Sequence, residues 1–562
     1  MLVMRRDLVV VIVLSLVFFL VAAYNLGLRD VPVTSWKASE GESFYVDFGR
    51  SENVSISAIN VLVKKADAVI LDVYYGSPEN WSEPVSIYIG GGYPLYYCLE
   101  RRTINVNCTA LRFVFKSSCE IAEIAVMDEE DKIIAIESVV LENGNYEALK
   151  LFDEQDKVVI PSTYLSQTYF DEIYFVRTAE EYIRLEEPYE CVHPPLGKLV
   201  LAAGILIFGY NTFGWRITGV IFATFMIPAM YVFGKVMFKT WIAAFTAAFL
   251  LVFDFMHFTM ARIATVDTFL VFFSIMSHLF FFAYFNGVLQ KKADNRLLFL
   301  AVLFFALGFS TKWVVFSGFI GQIFILVALR LRELLAVKVE WYLKIKEFFK
   351  HPVLPMVVFI TVAAVIYVLT YIPYMLVGHT LEDVYNQQWG MYNYHRWLTA
   401  THSFSSPWWS WPIIQRPVWL HISYLPNGLV STITCMGNPV IWWFGTACMA
   451  FLVMFIVVKL ILEKVDFACV FIVTIFFFQW LEYAFISRCV FLYHFYCNVP
   501  FLILAVTYFL NWIWKVEYGK YAVLVYLIVV VFFFALFYPV ISGYPISSGW
   551  RDSLRWFESW IF

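Results

Sequence analysis

Two hydrophobic patterns divide the chain. Residues 27–156 alternate apolar and polar positions in short runs such as VSISAINVLV, AVILDVYY, VSIYIGGG and ALRFVFK, separated by Gly, Pro, Asn and Ser. That period of two predicts the short antiparallel strands of a β-sandwich. After residue 199 the pattern changes to long apolar runs at 217–233, 241–258, 268–285, 297–309, 313–329, 354–376, 440–457, 467–485, 490–512 and 521–538. Most approach the roughly 20 residues that cross a bilayer; with the run at 8–23 they predict about eleven transmembrane helices.

The run at 199–208 is short and reads as a helix lying at the outer interface, which leaves Arg216 outside. Lys235 and Lys239, then Lys291, Lys292 and Arg296, the basic stretch 330–350, Lys459 and Lys464, and Lys515 and Lys520 then share the side of Arg5 and Arg6. This is the positive-inside pattern. It divides the chain into a first transmembrane helix (1–26), an extracytoplasmic β-rich domain (27–156) and an outer loop with an acid pair and an interfacial helix (157–215). A transmembrane core (216–377), a second outer loop (378–429) and the C-terminal helices (430–562) follow. The first run is read as an uncleaved helix rather than a signal peptide.

Composition agrees. The 562 residues are 61% hydrophobic, 20% aromatic and 15% charged, and mean hydropathy is +0.70. Soluble domains are typically about 45–50% apolar and about 25% charged. A net charge of −4 argues against nucleic acid as a partner. No internal repeat suggests an inverted-repeat transporter. Three sequons, at Asn53, Asn80 and Asn107, all lie within the β-rich region, in keeping with an exterior location. Cys98, Cys108, Cys119 and Cys191 fall in polar sequence and can pair in an oxidising compartment, with a connectivity that spacing leaves open.

The assignment gathers Asp171, Glu172, His193, Arg216, Arg262, Asp267, Lys312, Arg416 and Arg488 on the outer face. Charges at membrane depth are costly and tend to be functional or paired. Several carboxylates beside several cations suit an acid–base centre next to an anion site. A carboxylate such as Asp171 can take the proton of an attacking alcohol, and Arg or Lys can hold a phosphate. Each residue also has a structural reading. Outer-rim Arg and Lys snorkel, Trp anchors at interfaces, and Asp254, Arg262 and Asp267 can form a polar cluster between helices.

The ordered motifs FDE, HPPLGK, WRITG, FDFMHFTMARIATVDTFLVFF, STKWVVFSG, YNYHRWLTATHSFSSPWWSWPIIQRPVW, GNPVIWW and SRCVFLYHFYCNVPF resemble the protein O-mannosyltransferase family over roughly residues 166–538. That family consists of multi-span enzymes of the GT-C glycosyltransferase class. The resemblance implies transfer of mannose from a polyprenyl (dolichyl) phosphate to Ser or Thr hydroxyls of proteins. It implies Asp171 as catalytic base and Glu172 as a contact to acceptor or metal. Arg216, Lys312 and Arg488 become candidates for the donor phosphate. His193, Asp254, Arg262, Asp267, Trp409 and Arg416 are expected to support the site.

A divalent cation held by Asp171, Glu172 and Asp267 is compatible with oxygen-ligand chemistry, and nothing in the spacing requires one. The 378–429 loop is too short for the β-trefoil MIR domain of eukaryotic members, which fits prokaryotic members better. The location implied is a prokaryotic cell membrane, or the membrane of the endoplasmic reticulum, with the site on the outer or lumenal side. Because the motifs begin only near Tyr169, the β-rich region is expected to be separable from the chemistry. Two other readings are a related GT-C enzyme with another lipid-linked sugar or a lipid acceptor, and a non-enzymatic transporter or receptor.

Overall fold

The computed structural model describes residues 5–143, 146–290, 292–336, 340–348, 354–461 and 466–562. Lys291, Lys350 and Lys464 lie outside them. The chain forms two compact units, one of residues 25–177 with 205–215, the other of residues 1–24, 178–204 and 216–562.

The first unit carries a β-sandwich. Strands Trp36–Ala38, Cys119–Met127, Val54–Ala66 and Leu95–Cys108 form one antiparallel sheet in that spatial order. The other runs Ser138–Asn143, Ser43–Asp47, Ala110–Phe115, Val69–Ser77 and Asn80–Trp81, with Val85–Ile89 also paired to Val69–Ser77. Inward positions from both sheets build one core. Phe44 and Phe113 stack at 5.1 Å, and Trp36 meets Phe115 edge-on at 5.3 Å. In Val69–Val73 burial alternates as the sequence does, with Val69, Leu71 and Val73 inside. Asn53, Asn80 and Asn107 are exposed. Cys98, Cys108, Cys119 and Cys191 carry free thiols, so the pairing left open by their spacing does not occur.

Strand Cys119–Met127 departs from the alternation, because both of its faces are covered. Ala125 and Met127 pack under Val158 and Ile160 on the side away from the sandwich core. Glu123 is fully buried, and burial, reinforced by the charge of Asp153, raises its carboxyl from the usual 4.5 to about 8. An acid with a raised folded pKa costs stability as pH climbs from the unfolded value to the folded one. Glu123→Gln is therefore expected to raise the thermal midpoint at about pH 8 and to change it much less at about pH 5. Equal shifts at both values would contradict this reading.

The second unit is helical. Among the described residues eight helices are long and apolar enough to cross a membrane, or nine if a bent pair is counted as one span. Leu196–Phe208, Asn295–Phe309 and Pro355–Leu369 are shorter apolar helices. The order of runs read from the sequence is present, but several are interrupted. The run expected at 241–258 is two helices, Trp241–Val252 and Phe255–Ala261, bent by 56°. The cause is Asp254, whose carboxylate caps the second helix by accepting from the His257 N–H at 3.0 Å and also accepts from Trp442 Nε1 at 2.7 Å. The 354–376 run restarts at Ile372–Leu376 with Pro373 in its first turn. The 490–512 run begins as a 3-10 segment, Leu492–Asn498, before Val499–Ile513 with Pro500 at its start. Proline fits a first turn and breaks an interior one.

Polar groups join the helices. Asp7 of Arg5–Ala23 accepts from Tyr231 at 2.6 Å and pairs with Lys235. His278 lies between the amides of Gln322 and Gln479, at 2.8 and 3.2 Å. Such contacts serve where lipid removes the hydrophobic drive for helix association. The 378–429 loop is more structured than expected. It contains helix Leu381–Trp397 and strand Val418–Tyr424, which pairs with Leu429–Cys435 across Pro426–Gly428.

Candidate active site

In the first unit the acid pair sits at a forced turn. Phe170 has a left-handed backbone (φ 51°), and helix Glu172–Arg184 starts two residues later. The Asp171 carbonyl accepts from the Tyr174 N–H at 3.1 Å, opening the helix, so the Asp171 side chain stands at the helix N-terminus. There the unsatisfied N–H groups and the helix dipole favour a carboxylate.

The two acids are not equivalent. Glu172 is fully buried and its Oε2 accepts from the Tyr169 N–H at 3.2 Å, holding the turn closed. Asp171 is half-buried. The segment leading into them is fastened to strand Leu95–Cys108: Thr168 N–H donates to the Tyr97 carbonyl at 3.1 Å, Thr168 Oγ1 to the Tyr96 carbonyl at 2.5 Å, and Leu99 N–H to Gln167 Oε1 at 3.0 Å. The β-rich region thus supplies the strand that fastens the segment leading into the acid turn, a link that the expected separability did not foresee.

In the second unit the HPPLGK segment surrounds a buried ion cluster. Lys198, 1% exposed, donates to Glu190 Oε2 at 2.6 Å and to the carbonyls of Glu190 and His193 at 2.7 and 2.8 Å. His193 Nδ1 lies 2.7 Å from Glu190 Oε1. Burial works to raise the Glu190 carboxyl, but Lys198 and His193 outweigh it and hold it at about 2. The same segment reaches two other motifs. The Leu196 N–H donates to the Ser310 carbonyl at 3.0 Å, next to the STKW run. From YNYHRW, His395 Nε2 lies 2.9 Å from the Val192 carbonyl oxygen, and its ring is 5.3 Å from that of His193.

Lys312 is bonded to Asp267 at 2.8 Å. Lys312 and Arg488 both lie close enough to His395 to act on its charge, and Arg216, fully buried, acts in the same way on His421. Burial pushes the His421 imidazole down to about 3, and Arg216 adds to it.

The remaining candidates have these partners. Arg262 Nη1 donates to the carbonyls of Ala22 and Tyr24 at 2.6 and 2.7 Å, and its Nη2 to that of Ser542 at 3.2 Å, tying the first helix to the last long one. Asp254 is the helix cap described above. Asp267 pairs with Lys312. Trp411 is buried, donates to Ser406 Oγ at 3.1 Å and stacks on His494, whereas Trp409 is 55% exposed. Arg416 Nε is buried with no hydrogen-bond partner among the described residues. Among those residues no three His, Cys, Asp or Glu side chains are grouped to hold a metal ion. Glu190 and His395 were missed as individual residues. The signal available was the charge of Lys198 three residues after Pro195, which in an apolar run demands a buried acid.

The sequence pattern described as dolichyl-phosphate-mannose-protein mannosyltransferase matches residues 206–377, and that of the C-terminal four-transmembrane region of protein O-mannosyltransferase matches residues 380–560. A polyprenol-phosphate-mannose–protein mannosyltransferase of Mycobacterium tuberculosis is 25% identical over 437 residues, 66% of this chain and 81% of the relative. Its namesake in Corynebacterium glutamicum is 25% identical over 435 residues, with the same coverage of 66% and 81%. Among solved structures, the Saccharomyces cerevisiae protein O-mannosyltransferase Pmt1–Pmt2 complex bound to the sugar donor superposes with a TM-score of 0.60 at 12% identity. That match covers 70% of this chain and 89% of the other, and shows a shared fold. The two matched regions adjoin and together take in well over half of the sequence, and the chain belongs to the protein O-mannosyltransferase family.

Proposed function

We infer that this multi-pass membrane protein transfers mannose from a polyprenyl phosphate to Ser or Thr hydroxyls of an acceptor protein, on the outer or lumenal side. The observation that carries the chemistry is the division between the two adjacent acids. Glu172 closes the turn through the Tyr169 N–H, while the half-buried Asp171 stands at a helix N-terminus, where the dipole favours a carboxylate.

In this reading Asp171 takes the proton of the acceptor hydroxyl as its oxygen attacks the anomeric carbon. The oxygen–carbon bond forms as the carbon–phosphate oxygen bond breaks on the opposite face, so configuration inverts and a β-linked donor gives an α-mannoside. No second acid is needed, because the leaving group departs as a phosphate anion. Arg216, Lys312 and Arg488 stabilise the charge that grows on it. Asp267, 2.8 Å from the Lys312 Nζ, holds that side chain in place.

The test is incubation of the purified full-length protein with polyprenyl phosphates of mannose and of other hexoses, together with Ser/Thr peptides, followed by mass analysis. One added hexose on the peptide from the mannosyl donor is expected. Transfer only to lipid, or only from another sugar, would replace this reading with a different lipid-linked glycosyltransferase.

A further inference from the structure

The two nitrogens of His395 are in different situations. Nε2 lies 2.9 Å from the Val192 carbonyl oxygen. A carbonyl can only accept, so Nε2 carries the proton and Nδ1 is a bare acceptor. That Nδ1 is buried and has no hydrogen-bond partner among the described residues. Burial, with the charges of His193, Arg488 and Lys312, pushes the imidazole down to about 4, so it is neutral near pH 7. A buried acceptor left without a donor is costly, and such sites are repaid when a ligand supplies the hydrogen.

The chemistry around His395 narrows what that ligand group is. Lys312 is engaged with Asp267 at 2.8 Å, and protonated groups are disfavoured beside so many cations. A neutral O–H fits. The sugar of the donor is bonded directly to its phosphate, so sugar hydroxyls are the neutral donors that arrive beside Lys312 and Arg488. We propose that His395 Nδ1 accepts a hydrogen bond from one hydroxyl of the transferred sugar and thereby selects among polyprenyl-phosphate sugars. This rests on the reading of Lys312 and Arg488 as phosphate-side residues.

Two substitutions separate the nitrogens. In His395→Gln the amide nitrogen can still reach the Val192 carbonyl, but nothing replaces Nδ1. In His395→Asn the amide oxygen can stand near the place of Nδ1, while the Val192 bond is lost. The experiment measures kcat/KM for the full-length protein and both variants with polyprenyl-phosphate mannose and with analogues lacking one hydroxyl each. The wild type is expected to lose about 10–100-fold with one particular deoxy donor.

His395→Gln should slow the mannosyl donor by a similar factor and treat that deoxy donor within about threefold of it. His395→Asn should keep the discrimination. A wild type that discriminates against no single deoxy donor overturns the proposal, whether or not the Gln variant folds. So does a folded Gln variant that retains the full penalty. A wild type that uses no mannosyl donor at all instead overturns the function proposed above.

Discussion

Asp171→Asn is expected to lower single-turnover transfer by about 10²–10⁴-fold while donor affinity stays near that of the wild type. Asn preserves the size of the side chain and can still meet the helix N-terminus, but it has no basic oxygen to take the proton of the acceptor. The loss should therefore fall on chemistry, not on binding. Arg216→Ala serves as the contrast. On the proposed reading it removes a charge-assisted contact to phosphate, so donor affinity should weaken first, and turnover is to be compared only at saturating donor. The measurement is donor affinity and single-turnover rate for both variants, with thermal melting to check the fold. Near-native chemistry in Asp171→Asn would remove Asp171 as the base and move the question to Glu172.

The second large effect concerns stability. Glu190→Ala strips the partner from Lys198, which is 1% exposed and otherwise bonded only to carbonyls among the contacts described here. Breaking a buried pair from one side costs about 3–5 kcal/mol, because an uncompensated charge stays behind. The double variant Glu190→Ala with Lys198→Met should recover much of the loss, since it leaves no buried charge. Thermal midpoints of the three proteins test this; a single variant as stable as the wild type would show that the cluster contributes nothing. The pH dependence has a definite sign. Glu190 is held at about 2 against an ordinary 4.5, so its contribution is complete above about pH 4.5 and fades as pH falls toward 2.

Much of this architecture was legible because its signals are local. The alternation in AVILDVYY is a strand read directly from side-chain period, and apolar runs of bilayer length announce helices whatever they pack against. The breaks were harder. Asp254 is a local cap toward the His257 N–H, but it is also held by the indole of Trp442, a partner distant in sequence, and an Asp in an apolar run does not announce a bend by itself. Pro373 and Pro500, in contrast, were visible warnings. The hairpin at the end of the second outer loop was expected only as loop, although VWLHISY and LVSTITC flank an Asn-Gly turn, a strong hairpin signal.

The site divides in the same way. Asp171 and Glu172 stand out in sequence, but their unequal environments arise from a left-handed Phe170 and from strand Leu95–Cys108, which alternation alone cannot place beside them. Arg262 looked like a candidate for chemistry because charge in an apolar setting is conspicuous. Its three carbonyl partners come from distant segments. His395 had the opposite problem: one imidazole in an aromatic motif carries no sign of which nitrogen is bonded.

The free cysteines have a practical consequence for anyone handling the molecule. No bridge holds the β-sandwich, so its fold does not depend on oxidation, and a reductant can stay in every buffer during purification. Of the nine thiols only Cys98, Cys191 and Cys489 are even partly accessible. Burial pushes Cys98 up to about 12 and Cys191 up to about 11, so neither offers much thiolate to a maleimide at neutral pH. Replacing those three should leave a quiet background on which one introduced cysteine can carry a fluorophore or spin label, without rebuilding the six that lie in the interior.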